Sequence, residues 1–257
     1  SVVALGTNAV KSYAEYEQLV GGVETLFKDS QGIVMDYANN AYKTAGLSAN
    51  EYMDTVTSFS ASLLQSLDGD TTAAAEKANV AITDMSDNAN KMGTNMQDIQ
   101  NAYQGFAKQN YTMLDNLKLG YGGTKEEMSR LLEEASKISG IKYDISSYAD
   151  IIDAIHVVQE EMDITGTTAK EASTTIEGSV NMTKSAWSNL VTGIADDNQD
   201  FNVLVDNFVT SASTAVTNIL PRIEIAINGI GTLIETLLPI IVNRIPEIIN
   251  TVLPKLI

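Results

Sequence analysis

Ser48-Ala49-Asn50-Glu51-Tyr52-Met53-Asp54-Thr55-Val56-Thr57-Ser58-Phe59-Ser60-Ala61-Ser62-Leu63-Leu64-Gln65-Ser66-Leu67 is the stretch that decides the fold. Ser48 and Glu51 stand at the spacing of a capping box, in which the hydroxyl takes the N–H three residues on and the carboxylate reaches back to the first N–H. Behind them Tyr52, Val56, Phe59, Leu63 and Leu67 recur at steps of three and four, the spacing of one helix face. The same grammar returns at Thr94 with Gln97, followed by Met96, Ile99, Tyr103 and Phe106. It returns again at Thr124 with Glu127, followed by Met128, Leu131, Ala135 and Ile138. Breaks are expected at Gly21-Gly22, Gly46, Asp68-Gly69-Asp70, Gly120 to Gly123, Gly140 and Thr165-Gly166-Thr167. Ile145, Tyr148, Ile152, Ile155 and Met162 make a further stripe, and no strand-like alternation of useful length occurs. The expectation is an all-α protein of eight to twelve helices.

Its two ends are made of different material. All four prolines lie between Asn218 and Ile257, in the phrases Leu220-Pro221-Arg222-Ile223, Leu238-Pro239-Ile240-Ile241, Ile245-Pro246-Glu247-Ile248-Ile249 and Leu253-Pro254-Lys255-Leu256-Ile257. Proline inside a helix removes a donor and clashes with the preceding turn, so this spacing predicts a kinked, segmented arm. Residues 1–217 hold 30 of the 33 acidic and 13 of the 16 basic side chains, hence the whole net charge of -17. In the arm Arg222, Arg244 and Lys255 balance Glu224, Glu235 and Glu247. The expected organisation is an acidic helical body over residues 1–165, a helical connector over 166–217 and an apolar helical arm over 218–257. The chain begins at Ser1 and stops inside its own proline phrases, which reads as a fragment of something longer.

The chemistry these residues permit is narrow. Without cysteine there is no disulfide, thiolate metal site or thiol nucleophile. Strong acidity argues against a phosphate backbone as partner, because such affinity comes from Lys and Arg releasing counterions. His156, in Ile155-His156-Val157-Val158, reads as a structural or half-exposed histidine. Asp196, Asn198 and Asp200 imitate the start of a calcium loop, but Phe201 replaces its glycine and Asn207 its glutamate. Gly120 to Lys125 lacks the residue order of a phosphate-binding loop. The pairs Glu126-Glu127, Glu133-Glu134, Glu160-Glu161 and Asp196-Asp197 read as solvated faces, not as an acid and base flanking a glycosidic bond. Trp187 and the methionines, including Met85, Met92, Met96, Met113 and Met128, read as core filling. No catalytic, cofactor or metal site is expected. The candidate contact residues, for a membrane or a partner, are Pro221, Pro239, Ile240, Ile241, Pro246, Ile248, Ile249 and Pro254. The longest charge-free runs of the arm, Ile225 to Ile234 and Thr236 to Asn243, fall short of a membrane-spanning helix but suit an interfacial segment.

Three runs also carry a resemblance: Ala81-Ile82-Thr83-Asp84-Met85-Ser86-Asp87-Asn88-Ala89-Asn90-Lys91-Met92-Gly93, then Asn101 to Tyr111, then Leu117 to Glu127. They resemble the tail tape measure proteins of long-tailed bacteriophages and prophages, and the likeness extends over Gly178 to Asp197 and the proline phrases. The resemblance implies a structural protein of the virion, with no shared catalytic site, that fills the tail tube, sets its length and assists DNA ejection. It implies tail tube proteins and assembly chaperones as partners, self-association, assembly in the bacterial host cytoplasm, and contact with the host membrane on ejection. A membrane-active helical protein and a cell-wall hydrolase are the alternative expectations.

Overall fold

The computed structural model describes the backbone of residues 2–256 and the side chains of residues 3–239 and Val242. Among these residues the chain is helical with no strand: α1 (Val2–Phe27), α2 (Gln31–Thr44), α3 (Ala49–Ser66), α4 (Thr71–Met92), α5 (Met96–Phe106), α6 (Lys125–Ser139), α7 (Tyr148–Glu161), α8 (Thr167–Thr174), α9 (Ile176–Gly193) and α10 (Phe201–Leu256). The all-α expectation holds. Contacts divide the chain into two units, Ser1–Ala215 and Val216–Ile257.

In the first unit α3 and α4 are the inner helices. α1 and α2 pack on α3, α7 and α8 pack on α4, and the pairs α6–α7 and α8–α9 close the sides. The stripe of α3 does what its spacing foretells: Tyr52, Val56, Phe59 and Leu63 are buried with Met53, against Phe27, Val34, Ile82 and Met85. Each such side chain removed from water contributes about 1.5–3 kcal/mol.

The helix starts show where the sequence rules held. At Ser48 both halves of the capping box form, with the Glu51 N–H donating to the Ser48 hydroxyl and the Ser48 N–H donating to the Glu51 carboxylate. At Thr124 only half forms: its hydroxyl accepts from the Glu127 N–H, while the Glu127 carboxylate takes the N–H of Gly122 instead. The box expected at Thr94 is displaced by one residue. Asn95 caps α5 through the N–H groups of Gln97 and Asp98, and the Thr94 hydroxyl donates to buried Asn88. Asparagine is at least as good a cap as threonine, and the bond from Thr94 back to Asn88, six residues earlier, decides between them. Asp70, Ser147 and Thr175 cap α4, α7 and α9 in the same way.

Three expectations are corrected. Gly21-Gly22 breaks nothing, because both residues lie within α1, where a Cβ on Gly22 would sit 3.4 Å from the Thr57 methyl of α3. A Cβ at Gly22 would make only an ordinary contact there, and one at Gly21 would meet nothing, so neither glycine is demanded by a turn or by crowding. The boundary at 165/166 is not a structural break either: α8 packs on α4 and α9 on α1, so the connector belongs to the first unit up to Ala215. Gly166 does turn the chain, at φ 83, but buried Asp87 of α4 accepts the N–H groups of Gly166 and Thr168 at 2.6 and 2.7 Å and fastens α8 in place. Finally, core filling describes buried Met85 and Met128 and half-buried Met92 and Met96, but Met113 and Trp187 are over 40% exposed. Trp187 leans on Phe208 with ring centroids 5.2 Å apart.

Candidate interaction surface

The first unit holds a buried polar cluster that links its helices. On α4, Asp84, Asp87 and Asn88 stand at helical spacing and are all buried. Asp84 holds His156 Nδ1 at 2.9 and 3.0 Å, and Asn88 donates to the Leu117 carbonyl and to Gln159, which in turn donates to the Asp84 carbonyl. Burial pushes the Asp84 carboxyl up to about 6 despite the neighbouring imidazole, and the bond to Asp84 raises His156. The pair joins α4 to α7, which agrees with the structural reading of His156.

The other chemical look-alikes also resolve into local structure. Asp196 accepts the N–H of Asn198, and Asp200 accepts those of Asn202 and Val203 at the start of α10. These carboxylates are occupied by turns. Glu127 is held well ionised, at about 2, by the Arg130 guanidinium and the Gly122 N–H, which unsuits it as a proton donor. Among the described residues no cluster of three or more His, Cys, Asp or Glu is arranged to hold a metal ion.

The second unit is a different kind of surface. The prolines do not divide it into short helices: Pro221, Pro239, Pro246 and Pro254 all fall within α10. Val216, Leu220, Ile223, Ile227, Ile230, Leu233, Ile234 and Leu237 are each more than 40% exposed. Together with Ile219 and Ala226 they follow a seven-residue repeat: Val216, Ile223, Ile230 and Leu237 at one position, Ile219, Ala226 and Leu233 three further on, Leu220, Ile227 and Ile234 four further on. At 100° per residue these positions make one apolar band about 140° wide.

Pro221 and Pro239, both exposed, are 18 residues apart, about five helical turns, and therefore share an angular position. That position lies opposite the band. The two prolines expected as contacts are thus placed on the far face with Asn228 and Thr232, where a missing N–H and the ring's clash with the preceding turn leave the band uninterrupted. The side chains of Ile240, Ile241, Pro246, Ile248, Ile249 and Pro254 lie outside the described residues. Sequence reading missed the band itself, although its signal, the repeat of seven, is written in the chain. The proline phrases are louder and run on a different period. Arg222 flanks one edge of the band and Glu224 and Glu235 the other. No described helix is long and apolar enough to cross a membrane.

Compared with known proteins, the chain matches no family model, no curated protein and no solved structure.

Proposed function

We propose that this chain is part of a tail tape measure protein of a long-tailed phage or prophage, acting as a structural element inside the tail and not as an enzyme, and that its arm works by assembling with further copies of itself. The observation that carries the reading is the exposed apolar band of α10. Eight large aliphatic side chains in one stripe exceed what a soluble monomer leaves bare. Their period of seven is the one that lets straight helices stay in contact by supercoiling.

A second copy fits better than an unlike partner. The band is free of charge and so offers an oppositely charged partner nothing, while its two edges carry opposite signs. In a parallel bundle the Arg222 edge of one helix meets the Glu224 edge of the next. An apolar band three positions wide in each heptad favours more than two strands. The acidic body, at net charge -17, would not adhere to DNA passing through the same tube. Tail tube proteins and assembly chaperones are the other partners of this reading. Its location is the virion tail interior after assembly in the host cytoplasm.

The test is mass spectrometry of particles purified after inducing the source culture. Peptides of this chain within tails, in a parent several times heavier, are the expected result. Complete particles without them would refute the reading. The same band carries one competing reading, insertion into a membrane interface, which predicts dye release from liposomes by the isolated arm peptide and no association of the arm in water.

A further inference from the structure

The apolar row of α10 does not begin at Val216. The helix runs unbroken from Phe201, and counting back by sevens from Val216 and Ile219 gives Val209, then Ala212 and Val205. Val209 is 56% exposed although it belongs to the first unit, and Val205 and Ala212 are half-buried. Here the row is narrower than the band downstream. The third position of the repeat, held later by Leu220, Ile227 and Ile234, is held by Asp206 and Ser213, and Asn202 ends the row.

Charge is distributed unevenly around that upstream end. From Ser185 to Pro221 the chain has no Lys or Arg, while Asp196, Asp197, Asp200 and Asp206 all fall within the stretch. Asp197, Asp200 and Asp206 are exposed. In the band itself Arg222 offers a second copy an opposite charge, whereas this stretch offers only a like one. We infer that ionic strength decides whether copies of this chain assemble, through the carboxylates at the upstream end of the row. The inference rests on the self-association proposed above and adds what regulates it.

In a parallel assembly every copy brings the same residues to the same level of the seam. Asp197, Asp200 and Asp206 of the copies then converge, each attached to a first unit that carries the whole net charge of -17. The stretch supplies no cation of its own, so ions of the solvent do the neutralising. The Debye length is about 30 Å at 10 mM ionic strength and about 8 Å at 150 mM, so the repulsion spans the entrance of the seam in the first and is cut off between neighbouring helices in the second. The attraction between bands comes from apolar burial and has no charge to screen.

The test is sedimentation velocity of the full chain in about 10 mM and about 150 mM NaCl. Association at micromolar concentration in the higher salt is expected, with the midpoint concentration raised about tenfold or more in the lower. Asp197→Asn combined with Asp206→Asn keeps the shape of both side chains and should shrink that shift several-fold. Glu133→Gln combined with Glu161→Gln removes the same amount of charge from exposed sites on α6 and at the end of α7, and should leave the shift as it is in the native chain. An oligomer whose midpoint is the same in both salts, or that loosens as salt is added, overturns the gate and leaves self-association standing. Equal effects of the two double variants overturn the part given to Asp197 and Asp206. A monomer in both salts refutes the assembly itself. Circular dichroism melts show whether the variants fold, and the native salt series decides the gate without them.

Discussion

Asp87 is a fully buried carboxylate that accepts two backbone N–H groups 79 and 81 residues away. It does for α8 what a local cap does elsewhere, since Gly166 has no side chain to offer. Asp87→Ala would leave two donors unmatched, and a loss of about 2–3 kcal/mol in urea unfolding is expected, with faster proteolysis near Gly166. His156 makes the second residue-scale prediction. Asp84, raised from 3.8 to about 6, and His156, raised above 6.5, both bind protons more firmly folded than unfolded. Each therefore contributes stability that is present below its unfolded value and lost as pH rises, for Asp84 between 3.8 and about 6 and for His156 above 6.5. The advantage of the native chain over His156→Gln in urea midpoint should shrink between about pH 6 and pH 9. A constant or growing gap would show that the imidazole acts by packing alone. Neither Asp84 nor Asp87 was legible as a partner, because the groups they hold lie more than 70 residues further along the chain. A run of polar residues on a helix reads as a solvated face until the elements that cover it are known.

Helices were the most legible level, because a stripe at steps of three and four and a capping side chain are both local signals. Ser48 shows the local rule working, and Ser48→Ala should cost about 1 kcal/mol in denaturant unfolding. Thr94 shows its limit, since a neighbouring asparagine took the cap while the threonine turned back to Asn88 at the end of α4. Glycine is the least legible residue at this scale. Gly21 and Gly22 look like a break and are helix interior, whereas Gly178 looks unremarkable and is where α8 and α9 meet. A Cβ there would lie 2.4 Å from the backbone of Glu171, a contact no side-chain rotation relieves. Gly178→Ala should destabilise the first unit by about 1–3 kcal/mol, whereas Gly21→Ala, which meets nothing, should leave the urea midpoint unchanged or raised.

For the whole molecule, composition announced two materials, and the structure divides the chain at Val216, close to where the acidic residues give out. The width of the first unit was not legible, because the Thr-rich segment near Gly166 resembles a linker and turns out to be pinned by Asp87. Self-association makes the prediction at this scale. The combined substitution of Ile223, Ile230 and Leu237 by Thr should turn an oligomer into a monomer in sedimentation velocity, while Ile225→Thr on the far face should not. Monomeric native chain at micromolar concentration would rule out the assembly. The repeat also bears on how such an arm changes over generations. Each inserted residue lengthens a helix by 1.5 Å but swings everything beyond it through about 100°, so a single insertion would point half the band at water. Seven residues restore the facing to within about 20° and add about 10.5 Å. Relatives of this arm should therefore differ in length by multiples of seven, or of eleven where the supercoil relaxes, giving a ladder of permitted lengths with rungs about 10 Å apart.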